Sequence, residues 1–96
     1  MYAVVRSWSG DGASELFDQL EQRNEEIKGL IGGVPGFVSY TAFRTADGGS
    51  TVTVCQDKTG TDESSRRAAD WVKENISSTA NPPVITEGGT VAHFGS

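Results

Sequence analysis

Cysteine and histidine each occur only once in this chain of 96 residues, as Cys55 and His93. A single cysteine excludes an intrachain disulfide, and one cysteine with one histidine falls short of the four ligands of a structural zinc site. The N-terminal residues 1–6 lack the basic and then apolar layout of a secretory signal peptide. We therefore expect a cytoplasmic, reducing location, and neither a metal nor another cofactor.

Basic residues and long apolar runs are also scarce. Lysine and arginine together number 8 against 13 acidic residues, and the formal net charge is -5. A nucleic-acid partner is excluded on electrostatic grounds, because phosphate backbones attract clusters of basic side chains that the sequence does not contain. No apolar run approaches the roughly 18 residues that span a membrane, so a membrane partner is not expected either.

The apolar content is low, with 35% hydrophobic residues. The length predicts one domain over residues 1–96, and a domain this small buries only about 60–65% of the surface of its unfolded chain. Such a thin core favours a partner that covers further apolar surface. The simplest such partner is a second copy of the same chain.

Alternating apolar and polar residues predict strands, and a stripe with helical spacing predicts each helix. The first predicted elements are a strand over 2–8 and a helix over about 13–31, capped by Asp11 or Ser14. Strands over 37–44 and 51–56 follow, joined by the turn Asp47-Gly48-Gly49. A second helix starts near 59–63, with Thr61 or Asp62 as its cap, and a loop over 77–83 leads to a last strand over 84–87 and 90–94 that bends at Gly88-Gly89.

The order β-α-β-β-α-β predicts an α+β, ferredoxin-like fold, in which two helices cover one face of a four-stranded antiparallel sheet. Residues 2–8 and 51–56 carry apolar or β-branched side chains on both faces of their strands. The face without helices should therefore be buried as well. Face-to-face homodimerisation through this open face is the simplest way to bury it.

The stretch Gly32–Tyr40, with the sequence GGVPGFVSY between a long helix and a strand, resembles the dimeric α+β-barrel superfamily. More narrowly, it is similar to the antibiotic-biosynthesis-monooxygenase-like proteins. The resemblance implies a dimeric α+β barrel that binds a small molecule. If the chain is catalytic, the resemblance implies a cofactor-independent monooxygenase that acts on an aromatic or quinol-type substrate. The alternative is a non-catalytic ligand-binding or assembly module that uses the same dimer.

The sequence departs from the enzyme patterns of that superfamily. An acidic residue followed by tryptophan at the end of the third strand is missing, and Val54–Lys58 stands there instead. The haem-degrading members carry a haem-ligating histidine on a helix, whereas His93 falls on a predicted strand. The comparison therefore transfers no haem site and no established catalytic residue.

Two residues are candidates for catalysis. His93 is the only side chain with an ordinary pKa near neutrality, which makes it the acid–base candidate. Arg6 shares a strand face with Val4 and Trp8 and could hold a carboxylate or an enolate-like oxygen. The alternatives are a structural, half-buried histidine, and a salt bridge from Arg6 to Glu87 or to an acidic residue of a helix.

Four further residues are candidates for lining a ligand pocket. Asn24 interrupts the apolar stripe of the first helix, within an all-polar stretch that leaves room above the sheet. Tyr40, Trp8 and Trp71 supply aromatic bulk that suits a flat ring. The alternatives are solvent contact for Asn24 and a solid core for the aromatic residues. A cavity of several hundred cubic ångströms would favour ligand binding over the assembly module.

Overall fold

Four strands form one antiparallel sheet in the order β2-β3-β1-β4, and the helices lie between them in the chain. The structure is a computed structural model that describes residues 1–76 and 81–95. The elements are β1 (Tyr2–Ser9), α1 (Ala13–Gln22), α2 (Asn24–Gly32), β2 (Phe37–Thr45), β3 (Gly48–Cys55), α3 (Lys58–Asn75) and β4 (Val84–Gly89). This is the predicted ferredoxin-like α+β fold.

The helices pack on one face of the sheet. On β1 this face carries Val4, Arg6 and Trp8, which are all buried. The Trp8 ring meets the Phe17 ring of α1 edge to face, with 6.0 Å between the centroids. A Cβ on Gly49 would lie 2.5 Å from the Phe17 ring, so the glycine makes this packing possible. The core residues are Trp8, Ala13, Leu16, Phe17, Ile27, Ile31, Trp71 and Ile76.

The opposite face of the sheet carries small and β-branched side chains. Ala3, Val5 and Ser7 alternate with the buried residues of β1 and therefore point to this second face. Val52 of β3 is paired with Val5, and Val84 of β4, which is paired with Ser7, is 69% exposed. The hydrophobic core cluster of the described chain contains none of these five residues. We call this surface the open face.

The predicted first helix is two helices, so three helices rather than two cover the sheet. The backbone of Arg23 has φ -110° and ψ 32°, which ends α1 and starts α2. Neither proline nor glycine stands at this position, so composition gave no sign of the break. The predicted caps Asp11 and Ser14 are also wrong: Gly12 is the N-cap, with φ +87° and no side-chain hydrogen bond.

The start of α3 also differs from the prediction. The helix begins at Lys58, and its N-cap is Asp57, whose carboxylate accepts a hydrogen bond of 3.3 Å from the Gly60 N–H. Thr61 and Asp62 are therefore not caps. The Thr61 hydroxyl instead donates to the Lys58 carbonyl at 3.1 Å, as a buried residue of the first turn.

The last predicted strand is only half formed. β4 ends at Gly89, and residues 90–95, which we call the C-terminal arm, are neither helix nor strand. The prediction of a strand over 90–94 is wrong for the single chain: the pairing of β4 with β1 extends from Val84 to Gly89 and does not continue into the arm. Thr90 is held by hydrogen bonds of 2.9 and 2.7 Å from its N–H and hydroxyl to the Met1 carbonyl.

Part of the predicted loop, residues 77–80, lies outside the described residues, and so does Ser96. Residues 81–83 are neither helix nor strand, in agreement with the loop. Within residues 1–76 and 81–95, no helix is both long and apolar enough to cross a membrane.

Candidate functional site

A cleft of about 1220 Å³ separates α1 and α2 from the edge strand β2. The apolar and aromatic residues that line it are Phe17, Leu20, Ile27 and Ile31 from the helices and Phe37, Tyr40, Ala42 and Phe43 from β2. The cleft lies beside the polar stretch of the helical region, where few large apolar side chains fill the space above the sheet. Its walls are therefore apolar and its rim is polar.

Charged side chains tie β2 to α1 at the rim of the cleft. The Arg44 guanidinium contacts Asp18 at 2.8 Å and Glu21 at 3.1 Å. Hydrogen bonds to these two carboxylates, first of all to Glu21, raise the pKa of Arg44. Each pair is solvent-exposed, so the two contacts position the strand edge and contribute little stability.

The break between α1 and α2 is held by contacts with α3. The Arg23 guanidinium donates to both Glu26 carboxylate oxygens, at 2.8 and 2.9 Å, and lies 5.2 Å from the centroid of the Trp71 ring. The Trp71 Nε1–H donates to the same carboxylate at 2.6 Å. These hydrogen bonds, first of all the one from Trp71, lower the pKa of Glu26. Trp71 thus anchors the first turn of α2 instead of lining the cleft.

Two of the predicted pocket residues, Tyr40 and Asn24, do line the cleft. Asn24 is exposed at the rim, so it meets both solvent and the cleft. Tyr40 is half-buried, and its burial raises the pKa of the phenol, although the charge of Arg6 opposes this shift. The phenol therefore stays protonated near neutral pH and can donate a hydrogen bond to a ligand oxygen.

Arg6 is a buried cation surrounded by neutral hydroxyl groups. Its guanidinium donates to Ser64 at 2.6 Å, to Ser65 at 3.0 and 3.2 Å, to Thr53 at 3.1 Å and to Thr51 at 3.4 Å. These five hydrogen bonds use all five N–H donors of the side chain. Burial lowers the pKa of Arg6. We call this arrangement the hydroxyl cage.

The salt bridge considered for Arg6 is not formed. In the described part of the chain, no carboxylate lies within ion-pair distance of Arg6, and Glu87 instead contacts Lys58 at 3.2 Å. Arg6 and Trp8 line a second, smaller cavity of about 230 Å³ between α3 and the strands β1 and β4. A role for either residue toward a ligand stays a prediction.

His93 and Cys55 lie apart from the cleft. His93 is exposed in the C-terminal arm and is not among the residues that line either cavity. Its acid–base role also stays a prediction. Cys55 is fully buried, and its burial raises the pKa of the thiol, which opposes formation of a reactive thiolate. No group of three or more potential metal ligands occurs within residues 1–76 and 81–95.

Several lining residues were not singled out from the sequence. Ile27, Ile31 and Phe37 have the spacing of core residues, and they belong to the core as well as to the cleft wall. Nothing in the sequence indicated that Ser64 and Ser65 bind a buried side chain, because serines within a helix are usually solvated. Their partner Arg6 is on another element, and only the fold brings them together.

Comparison with known proteins gives structural matches only. No protein-family model matches the sequence. No curated protein matches it either. The solved structures that share its fold include the heme-degrader MhuD of Mycobacterium tuberculosis, with two hemes bound in its active site. That chain is 16% identical, the match covers 99% of this chain and 100% of MhuD, and the TM-score is 0.69.

Two further solved structures bear on ligands and assembly. The monooxygenase ActVA-Orf6 of Streptomyces coelicolor, in complex with nanaomycin D, is 19% identical to this chain. The match covers 99% of this chain and 92% of ActVA-Orf6, and the TM-score is 0.65. A dimeric ferredoxin-like protein from an uncultured marine organism is 12% identical to this chain. The match covers 99% of this chain and 96% of that protein, and the TM-score is 0.61. This chain has the fold of these proteins. The resemblance seen in Gly32–Tyr40 is thereby confirmed for the fold.

The hydroxyl cage leads to a prediction about stability. Replacement of Arg6 by lysine should lower the free energy of unfolding by about 2–4 kcal/mol, because an ammonium group cannot make the five directed hydrogen bonds and each lost bond costs about 1 kcal/mol. Urea unfolding followed by circular dichroism measures the change. The control is Arg66→Lys on the exposed side of α3, which should change stability by less than about 0.5 kcal/mol. If both substitutions lowered the free energy of unfolding equally, the stabilising role of the hydroxyl cage would be contradicted.

Proposed function

We propose that this chain binds a flat aromatic ligand of the quinol type in the cleft between α1–α2 and β2. The observation that carries the proposal is the lining of that cleft. Aromatic rings from α1 and β2 lie on both sides, and the polar groups that line the cleft include the Tyr40 phenol and the Asn24 amide. Such a site, apolar with a few polar groups that fix orientation, is typical of pockets for small molecules.

The size of the cleft supports the same conclusion. Pockets for small ligands usually enclose roughly 300–1,000 Å³, and the cleft offers about 1220 Å³ along an open side. This volume exceeds what a ligand of two fused rings needs. A solid core around Trp8, Tyr40 and Trp71 would favour the alternative of an assembly module. Trp8 and Trp71 belong to the core and Tyr40 packs against it, but Tyr40 also borders the cleft. A protein with the same fold, ActVA-Orf6, is described in complex with nanaomycin D, which adds support.

We further propose that the chain forms a homodimer through its open face. Val5, Val52 and Val84 share that face, and the helices of the chain pack on the other one. Burial of apolar area gains roughly 25 cal/mol per Å², which favours a second sheet packed against the first. A neighbour in fold is described as a dimeric ferredoxin-like protein.

A haem group does not fit the residues of the cleft. Among the described lining residues, none is histidine, cysteine or methionine, and the single side chain of an iron-binding type is Tyr40. An iron ligand would have to be the phenolate, which the raised pKa of Tyr40 disfavours. We therefore propose no reaction through haem, although MhuD binds two hemes on the same fold.

Ligand binding is testable with a variant that fills the cleft. Ala42 lines the cleft, so a tryptophan side chain at this position should occupy the space of the ligand. We expect wild-type protein to bind a hydroxynaphthoquinone in isothermal titration calorimetry, and Ala42→Trp to weaken binding at least tenfold, a loss of about 1.4 kcal/mol.

The matched control is Ala46→Trp, because Ala46 is exposed in the turn between β2 and β3 and does not line the cleft. We expect this variant to bind as the wild type does. Absence of binding to the wild type, or equal loss in both variants, would contradict the proposed site.

Oxidation of the ligand is a separate prediction, which follows from the resemblance to cofactor-independent monooxygenases. We expect the protein to accelerate oxygen uptake by a naphthohydroquinone above the rate in buffer, measured with an oxygen electrode. The variant His93→Ala should slow the accelerated part at least tenfold, since general acid–base catalysis contributes roughly 10²–10⁴-fold. Equal rates for the two proteins would contradict an acid–base role of His93. A rate equal to that in buffer would favour the non-catalytic binding module.

A further inference from the structure

We propose that the smaller cavity between α3 and the strands β1 and β4 binds a short-chain organic carboxylate, whose charged group pairs with the Arg6 guanidinium and whose apolar tail fills the cavity. This site is separate from the cleft, and it requires neither the quinol-type ligand nor a second copy of the chain. Three features support it: a buried cation without a counter-ion, the way in which two donors of that cation converge, and the lining of the cavity beside it.

Arg6 lacks the anion that usually accompanies a buried arginine. The residue is 2% exposed, and the groups that accept its hydrogen bonds are neutral hydroxyls. No carboxylate of the described residues pairs with it, and residues 77–80 contain no acidic side chain. A buried charge is costly unless it is paired. An anion beside this guanidinium would therefore be attracted more strongly than one at the protein surface.

Two donors of Arg6 converge on a single oxygen. Its Nε–H and one Nη2–H both donate to the Ser65 hydroxyl, at 3.2 and 3.0 Å. This edge of a guanidinium is the fork that a carboxylate binds with both of its oxygens. Ser65 is half-buried and borders the cavity. Rotation of its side chain would open the fork to a carboxylate in the cavity, while Ser64, Thr51 and Thr53 keep their own hydrogen bonds.

The cavity beside the fork is present where α3 carries small side chains toward the sheet. Ala68 and Ala69 follow Ser65 by three and four residues, so the three share one face of the helix. The larger apolar residues that line the cavity are Trp8, Val72, Pro83 and Ile85. An inorganic anion gains nothing from such walls, whereas a hydrocarbon tail is removed from water by them. The lining therefore favours an anion with an apolar tail.

The size of the cavity and a second cation narrow the class of ligand. The volume is about 230 Å³, which at roughly 30 Å³ for each water-sized group holds about eight non-hydrogen atoms, the size of hexanoate. Lys73 also lines the cavity and is exposed, and none of the ion pairs within residues 1–76 and 81–95 involves it. Its ammonium group would add a second positive charge at the entrance.

Titration of ¹⁵N-labelled protein with sodium hexanoate, followed by NMR, tests the site directly. We expect a saturable shift of the Arg6 Nε–H and Trp8 indole signals. The indole signal of Trp71 should stay in place, because Trp71 is not among the described residues that line either cavity. Hexan-1-ol has the same tail without the charge and should bind about tenfold more weakly or worse. Equal binding of hexan-1-ol or of inorganic phosphate would overturn the class of ligand, and an Arg6 signal that does not move would overturn the site.

A matched pair of variants at Ser65 tests the fork. Ser65→Asp puts a carboxylate of the chain itself beside the Arg6 guanidinium and should abolish the binding of hexanoate. Ser65→Ala removes the competing hydroxyl without adding a charge, so it should bind hexanoate at least as tightly as the wild type. Weaker binding by Ser65→Ala, or unchanged binding by Ser65→Asp, would overturn the pairing of the ligand with the fork.

Further variants probe the walls and the entrance of the cavity. Ala68→Leu should fill the cavity and weaken binding about tenfold or more, whereas Ala46→Leu in the exposed turn between β2 and β3 should have no effect. Lys73→Gln should weaken binding about threefold, and Arg66→Gln, which removes one charge from the exposed side of α3, should not.

Circular dichroism of each variant accompanies the titrations, and if Ser65→Asp is unfolded, Ala68→Leu and Lys73→Gln decide. Loss of hexanoate binding in Ala42→Trp but not in Ala68→Leu would place the anion in the cleft and overturn the second site. Failure of the quinol-type ligand to bind in the cleft would leave the hexanoate result unchanged, so the two proposals fail separately.

Discussion

The sheet is covered by helices on one face only, and most features of this protein follow from that constraint. A four-stranded sheet with apolar side chains on both faces is stabilised when both faces are covered, but the three helices of residues 1–76 and 81–95 all pack on the same side. The second face, with Val5, Val52 and Val84, is the surface through which we propose that a second copy binds. In that homodimer each copy would cover the open face of its partner, which the low apolar content of the chain favours.

On the helix side, a charged group occupies a place that apolar residues usually fill. The guanidinium of Arg6 joins β1, β3 and α3 through hydroxyl groups alone. A buried charge without a counter-ion is costly, and the five hydrogen bonds offset that cost only in one geometry. The cage therefore fixes α3 over the sheet. α1 and α2 lie farther toward β2, and the space between them and this strand is the cleft.

The fold could be predicted from the sequence because it depends on local patterns. Alternation in residues 2–8 and 37–44, and the turn signals around Gly32–Gly33 and Gly48–Gly49, located the strands within a few residues. The break at Arg23 could not be predicted, since it depends on contacts with Glu26 and with Trp71 of α3. The same holds for the hydroxyl cage, whose hydroxyl groups lie more than 40 residues from Arg6 in the chain.

The candidate site was predicted in part. Asn24 and Tyr40 border the cleft, as expected from a polar position on an apolar stripe and from an aromatic residue on an edge strand. Trp71 has both aromatic bulk and a polar N–H, and the sequence could not show that Glu26 accepts this hydrogen bond. The strand expected over 90–94 is absent from the single chain, where the pairing of β4 with β1 stops at Gly89, and the alternation of residues 90–94 alone could not show this.

In the proposed homodimer, two copies meet on the open face. Isotope-filtered NMR on a mixture of ¹³C-labelled and unlabelled chains tests this contact, because it reports only contacts between molecules. We expect intermolecular nuclear Overhauser effects from the methyl groups of Val5 and Val52, and none from Leu16 or Ile31 in the core under the helices. Intermolecular effects confined to helix residues, or none at all, would contradict it.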